Sequence, residues 1–340
     1  MPTFIIALSG PSSSGKTTLA RLLQRIFSNQ PQTPEGVKSS SQISTFIIHE
    51  DDFYYPDDKI PYTITKSGAT IQDWDCLGAL DINFLTAALR YVHEHGHLPP
   101  RLRSKEDLNE VSPGSGADDA QVDELRACVA DRIQKILSSS SSTTKEQIDE
   151  KEKVTVAFLE GFLLYAPPAT EKCGKEHGLR DVHDQIDLPM FLAAPYDLVK
   201  ERREKRSGYV TIGPAPTTEL PQRSPSAPKA EEEGVDLEAE DDRPPQNFWT
   251  DPPGYVDDVV WPRYVRDHAW LLLPEDDSAE ALSAGDQDEL ISRVGQGVKL
   301  RMDAGVMVAP GQGALPMADL LKWAVEEVLK YLEKSTKLRI

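Results

Sequence analysis

The run Gly10-Pro11-Ser12-Ser13-Ser14-Gly15-Lys16-Thr17 satisfies the pattern GxxxxGK[ST]. Such a run binds phosphate. Glycines at both ends let the chain turn its N–H groups inward, and a following helix N-terminus adds partial positive charge. Lys16 then reaches the outer phosphates of a nucleotide, and the Thr17 hydroxyl is placed to hold Mg²⁺. Thr18 is counted with this run, although opening the helix is enough to explain it. A phosphate cradle alone does not separate a kinase from a GTPase, a motor or a regulatory switch, so the acceptor side has to decide. Transfer of a phosphoryl group to an alcohol needs a carboxylate near the γ-phosphate and cations around the transferring group. Asp51 and Asp52 follow one β-branched run, and Glu160, backed by Gly161, follows another. The cations come from Lys200-Glu201-Arg202-Arg203-Glu204-Lys205-Arg206, a basic stretch in an acidic protein. On a helix Arg202 and Arg206 share one face, suited to ATP phosphates, while Arg203 turns toward the acceptor. Taken singly, the paired acids read as a cap and the basic stretch as a solvated charge ladder. Beside a phosphate loop they read as chemistry.

The elements that must position these residues follow from the apolar pattern. Thr3 to Gly10 is a short β-branched run of the kind that forms a buried parallel strand, and Leu19, Leu22, Leu23 and Ile26 then recur at helical spacing. Thr45 to His49 and Val154 to Leu159 are further strands, each followed at once by acidic residues. Ile186 to Leu192 and Trp270 to Leu273 complete the expected set. Strands alternating with helices predict a mostly parallel α/β sheet with helices on both faces, in which ligands sit beyond the carboxyl ends of the strands. A turn over Ala309 to Gly313 precedes a last helix with Leu321, Val325, Val328 and Leu332 on one face.

The chain of 340 residues suffices for one large domain, and three segments read as flexible insertions into it: 28–44, 101–153 and 211–247. The second contains a short helical stretch, Asp119 to Leu137, and the serine run Ser138 to Thr144. Within the third, Glu219 to Asp242 carries nine acids and two bases and reads as a mobile spacer. The net charge of −19 argues against a general nucleic-acid or membrane-surface binder. Cys76, Cys128 and Cys173 lie far apart without metal-ligand spacing, so neither a disulfide framework nor a zinc site is expected. The N-terminus lacks a basic leader and no run is long enough to span a membrane, which predicts a cytoplasmic protein. His93, His95 and His97 alternate like ligands but close a helical stretch, and they read as a helix terminus.

With these residues assembled, the chain resembles the nicotinamide riboside kinases, within the uridine kinase-like group of P-loop nucleoside kinases. Four segments carry the likeness: TFIIALSGPSSSGKTTLA, EDDFYYPDD, FLEGFLLY and DPPGYVDDVVWPRY. The resemblance implies a three-layer P-loop sandwich with a mobile lid, ATP as co-substrate with Mg²⁺, and phosphorylation of the ribose 5′-hydroxyl of nicotinamide riboside in NAD salvage. It implies that Asp51 is the base and, with Thr17 and Glu160, part of the magnesium shell. It implies further that Trp74 and Asp75 hold the nicotinamide ring and the ribose hydroxyls, that Arg203 contacts ribose, that Arg202 and Arg206 clamp ATP, and that Tyr209 is a second aromatic wall. Asp52 and Phe53 are counted with the substrate pocket, and Pro310 to Gly313 with the adenine side. Trp74 departs from the tyrosine expected there, a change that favours a pyridinium cation. Two other readings remain open at this stage: a uridine/cytidine kinase, and a nucleotide-gated interaction protein that uses the acidic segment.

Overall fold

A computed structural model describes residues 2–28, 43–100, 102, 104, 116–140, 154–171, 173–213, 246–272 and 304–337. Strand β1 (Thr3–Ser9) runs into the phosphate loop and helix α1 (Lys16–Phe27). Strand β2 (Ile43–His49) ends in a 3₁₀ turn, Glu50–Phe53, and a small hairpin of β3 (Tyr62–Ile64) and β4 (Thr70–Gln72) follows. Helices α2 (Ile82–His95) and α3 (Asp119–Ser140) precede β5 (Val154–Gly161). Next come α4 (Arg180–His183), β6 (Leu188–Phe191) and α5 (Tyr196–Glu204). A second hairpin joins β7 (Tyr209–Ile212) and β8 (Gln246–Trp249), and a π-type turn, Val256–Val260, leads into α6 (Trp261–Leu272). The described chain closes with β9 (Met307–Val308) and α7 (Met317–Lys337).

The sheet is parallel throughout, in the order β2-β5-β1-β6-β9. Strand β1 is central and buried on both faces, which is why it reads as a continuous apolar run. Phe4, Ile6 and Leu8 pack toward α1, α3 and α7, whereas Ile5 and Ala7 pack toward α2 and α6. This is the expected three-layer α/β sandwich. Register places His49 opposite Glu160 and Ser9 opposite Gly161, so the ends of β1, β2 and β5 open on one rim.

Two expectations change. Trp270 to Leu272 belong to α6 rather than to a strand, because Trp261, Tyr264, Val265, His268 and Leu272 bury one helical face; Leu273 lies outside the described residues. The edge strand is supplied instead by Met307–Val308. The 101–153 segment contributes a 22-residue helix, α3, whose Val122, Val129 and Ile133 are buried against α1 and α7. That helix is part of the core. Residues 29–42, 141–153 and 214–245, and with the last the whole acidic run Glu219 to Asp242, lie outside the described residues. Among the described residues no helix is long and apolar enough to cross a membrane. His93 and His95 fall in the last turn of α2, before the left-handed Gly96.

Candidate active site

The phosphate loop takes its shape from three residues. Gly10 (φ 150°) must be glycine because a Cβ there would lie 2.3 Å from the Leu192 carbonyl oxygen. Ser13 (φ 61°) and Gly15 (φ 96°) adopt left-handed backbone, which turns successive N–H groups toward one point. The Ser13 and Ser14 hydroxyls are buried without a partner, in residues that line a cavity over the loop. Lys16 lies across the loop, its Nζ donating to the Pro11 carbonyl at 2.9 Å. Burial pulls its pKa down, against the pull of Glu160, Asp51 and Glu50.

At the ends of β2 and β5 four titratable side chains meet: His49, Glu50 and Glu160 are buried, and Asp51 is half-buried on the cavity side. Burial and the neighbouring Glu160 charge hold the Asp51 carboxyl above its ordinary value, against Lys16, Arg206 and His49. Burial also acts to raise Glu160. The His49 hydrogen bond at 2.7 Å, together with the His49 and Lys16 charges and a hydrogen bond from Thr17, outweighs it and leaves Glu160 below the usual range. Glu50 turns inward: its Oε2 accepts from the N–H groups of Phe162 (2.6 Å) and Leu163 (3.1 Å), while Oε1 has no partner. Burial pushes this carboxyl up to about 8 against the bond from the Leu163 N–H. Glu50 thus ties the end of β2 to the end of β5. His49 and Glu50 escaped the sequence reading; the only signal was their place beside Asp51.

Trp74 and Asp75 lie in a connector with no regular structure, and three elements hold it. Arg263 of α6 donates to Asp73 at 2.9 Å, and the Tyr255 hydroxyl accepts from the Trp74 N–H at 3.0 Å. Arg203 forks onto Asp75 at 3.0 and 3.2 Å. The PGY and WPRY residues therefore clamp the segment that lines the cavity. Arg203 also donates to Asp251 at 2.7 Å, and the two carboxylates keep the buried guanidinium charged. Asp251 was not singled out from sequence.

A cavity of about 540 Å³ brings together Ser12 to Thr18, Asp51, Trp74, Asp75, Glu160, Arg202, Arg203, Arg206 and Tyr209. Tyr54, Tyr55 and Trp249 line it as well, as do Pro310, Gly313 and Met317, the last beside Gly15 of the loop. Gly10 and Pro11 shape the loop from behind. Asp52 and Phe53 do not reach this cavity. Phe53 is in the core, its ring 5.0 Å from Phe84, because the 3₁₀ turn points Asp51 to one side and Phe53 to the other. The arginines also differ from a continuous helical face. Helix α5 ends at Glu204, so Arg206 lies beyond it, with its guanidinium 4.5 Å from the Tyr209 ring, while Arg202 reaches the Ser13 carbonyl at 3.4 Å. Lys200 pairs with Asp257 at 2.7 Å and anchors α5.

Among the described residues no three His, Cys, Asp or Glu side chains form a metal cage. Thr17, Asp51 and Glu160 instead offer a hydroxyl and two opposed carboxylates beside a phosphate loop. That is the donor set of a hard cation that takes one or two carboxylates and completes its shell with phosphate oxygens and water.

A parallel sheet with a phosphate loop after its central strand, and carboxylates at the ends of the adjacent strand β5 and of β2 beyond it, defines a P-loop α/β kinase fold. No family profile matches the chain. It is 27% identical to the nicotinamide riboside kinase of Schizosaccharomyces pombe over 331 residues, 97% of this chain and 98% of that protein. It is 24% identical to the nicotinamide riboside kinase of Saccharomyces cerevisiae, covering 96% and 95% of the two chains. Against nicotinamide riboside kinase 1 of Rattus norvegicus the identity is 22%, over 89% and 97%. The resemblance carried by four short segments is borne out over nearly the whole chain, which is a relative of the nicotinamide riboside kinases.

Proposed function

We propose that the protein transfers the γ-phosphoryl group of ATP to the ribose 5′-hydroxyl of nicotinamide riboside, and of nicotinic acid riboside, giving the mononucleotide for NAD salvage. The observation that carries this reading is a single cavity with a phosphate loop on one side and the clamped Trp74-Asp75 segment on the other, and with Asp51 on its wall.

Asp51 accepts the 5′-hydroxyl proton. A carboxyl held above its ordinary value by burial is a better base than a solvated aspartate. Asp75 and Arg203 present an acceptor and a donor to the two ribose hydroxyls. Lys16, Arg202 and Arg206 surround the phosphates and offset charge as the phosphoryl group moves. Thr17, Asp51 and Glu160 would hold Mg²⁺, which supplies further charge neutralisation on the phosphates when bound. The indole of Trp74 gives the pyridinium ring an aromatic face, and the carboxylates around it favour a cation over a neutral pyrimidine. The three free cysteines suit a reducing compartment, and the cytoplasm is the site of action we assign.

Substrate competition tests the reading. Uridine in excess should leave phosphorylation of nicotinamide riboside unchanged; effective competition by uridine would make this a pyrimidine nucleoside kinase.

A further inference from the structure

We infer that Trp249, and not Tyr209, is the aromatic wall that works with Trp74 to select a cationic ring in the acceptor. The inference rests on the proposed function and names a specificity residue of the same site.

The argument begins with the β7–β8 hairpin. Its register sets Tyr209 directly opposite Trp249, so the two side chains share one face although forty residues separate them in the chain. Both line the cavity. The same face is anchored two residues along each strand: Thr211 and Asn247 donate to Asp57 at 2.9 and 3.0 Å, and Asn247 also donates to the Gly213 carbonyl. This cross-strand pair therefore has a fixed position over the acceptor end.

Its two members are not equivalent. The Tyr209 ring is occupied by cations, with the Arg206 guanidinium at 4.5 Å and that of Arg203 at 5.3 Å from its centroid, and its hydroxyl accepts from Arg206 at 3.2 Å. A ring already serving two guanidinium groups has little π-face left for a third cation. Among the described residues no cation lies over the Trp249 ring. Its centroid lies 5.7 Å from that of Trp74 at an interplanar angle of 49°, so the two indoles meet as an open corner. Tyr54 closes the other side of Trp74 edge-on at 5.4 Å. The Trp249 Nε1–H donates to Asp251 at 3.0 Å and Tyr255 meets the ring edge-on at 5.8 Å; these contacts fix its tilt, and its remaining surface lines the cavity. Asp251 and Asp75 lie just behind this corner, so negative charge stands near an aromatic surface, the arrangement that suits a delocalised cation. Tyr209 then serves the donor side, by holding Arg206 toward the phosphates.

The experiment compares Trp249→Leu, Trp249→Phe and Tyr209→Leu by steady-state kinetics with nicotinamide riboside, nicotinic acid riboside and ATP. Trp249→Leu should raise KM for nicotinamide riboside about ten-fold, with a smaller rise for nicotinic acid riboside, whose ring also carries a carboxylate, and with KM for ATP within about two-fold. Trp249→Phe keeps an aromatic face but loses the bond to Asp251, and it should restore most of the loss. Tyr209→Leu should raise KM for ATP more than that for the riboside. An unchanged riboside KM in Trp249→Leu, an equal rise for ATP, a Phe variant as poor as Leu, or a riboside defect confined to Tyr209→Leu would each overturn the inference. A wild-type protein inert toward both pyridine ribosides would instead overturn the functional reading, and this inference with it.

Discussion

Replacing Gly161 with alanine tests whether the tie between β2 and β5 sets the catalytic carboxylates. A Cβ at this position would lie 2.4 Å from Glu50 Oε2, 2.5 Å from its Cβ and 2.7 Å from its Cδ, roughly 1 Å inside ordinary contact. Both strands are hydrogen-bonded into the sheet, so the 3₁₀ turn that carries the Glu50 Cβ has to shift and the Glu50 side chain has to swing out. It then gives up the N–H groups of Phe162 and Leu163, and each buried donor left unpaired costs about 1–3 kcal/mol. The expected loss is about 2–6 kcal/mol, which lowers Tm by roughly 5–15 °C for a domain of this size. Glu160 and Asp51 adjoin the two ends of the tie, so kcat should fall at least about ten-fold while ATP affinity, set by the loop after β1, stays near wild type. Thermal melts and steady-state kinetics read both effects. Glu50→Gly removes all three clashing atoms and makes room for the methyl, so a double-mutant cycle should show a coupling of about 1–3 kcal/mol. A Gly161→Ala protein with wild-type Tm and kcat, or an additive cycle, would refute the reasoning.

Three further outcomes are expected. Asp51→Ala should lower turnover by at least about 10²-fold while equilibrium binding of ATP is retained, as loss of a general base requires; retained turnover would remove Asp51 from that role. His268 is buried, its Nδ1 facing the Tyr264 carbonyl, and burial holds its pKa below 6.5. The unfolded chain therefore binds the extra proton first, and stability should be full above pH 6.5 and fall as the pH drops toward the folded value. Melts between pH 5 and pH 8 measure this, and His268→Gln should flatten the slope. Replacing residues 214–245 by a short turn from Gly213 to Gln246 should leave turnover within about two-fold, since Ile212 and Gln246 are already paired; lost activity would give the acidic segment a part in catalysis.

The sequence made the phosphate loop and the parallel core legible because both depend on local signals: glycine spacing, β-branched runs and helical periodicity. Asp51 and Glu160 were legible because each ends such a run. What escaped depends on tertiary register. Nothing local distinguishes Glu50 from Asp51, and only the bond to the Phe162 and Leu163 amides shows which one turns into the protein. Phe53 was misplaced for the same reason, since a 3₁₀ turn sends neighbouring side chains in different directions. Trp249 and Asp251 were missed because the hairpin that returns them to the cavity is interrupted by a long polar segment. The DPPGYVDDVVWPRY segment was noticed as a signature, but its physical role is visible only in space: Tyr255 and Arg263 hold Trp74 and Asp73 in place. Trp270 to Leu272 suit a strand by sequence yet end a helix, because a short apolar run looks alike in a strand and at the buried end of a helix.

The decisive measurement is incubation of the purified protein with ATP, Mg²⁺ and, in separate reactions, nicotinamide riboside, nicotinic acid riboside, uridine and cytidine, following ADP release and identifying products by mass. Phosphorylation of the pyridine ribosides, with no monophosphate formed from uridine or cytidine, is the expected result. Transfer to uridine in place of the pyridine ribosides would contradict it and move the acceptor specificity away from Trp74 and Asp75.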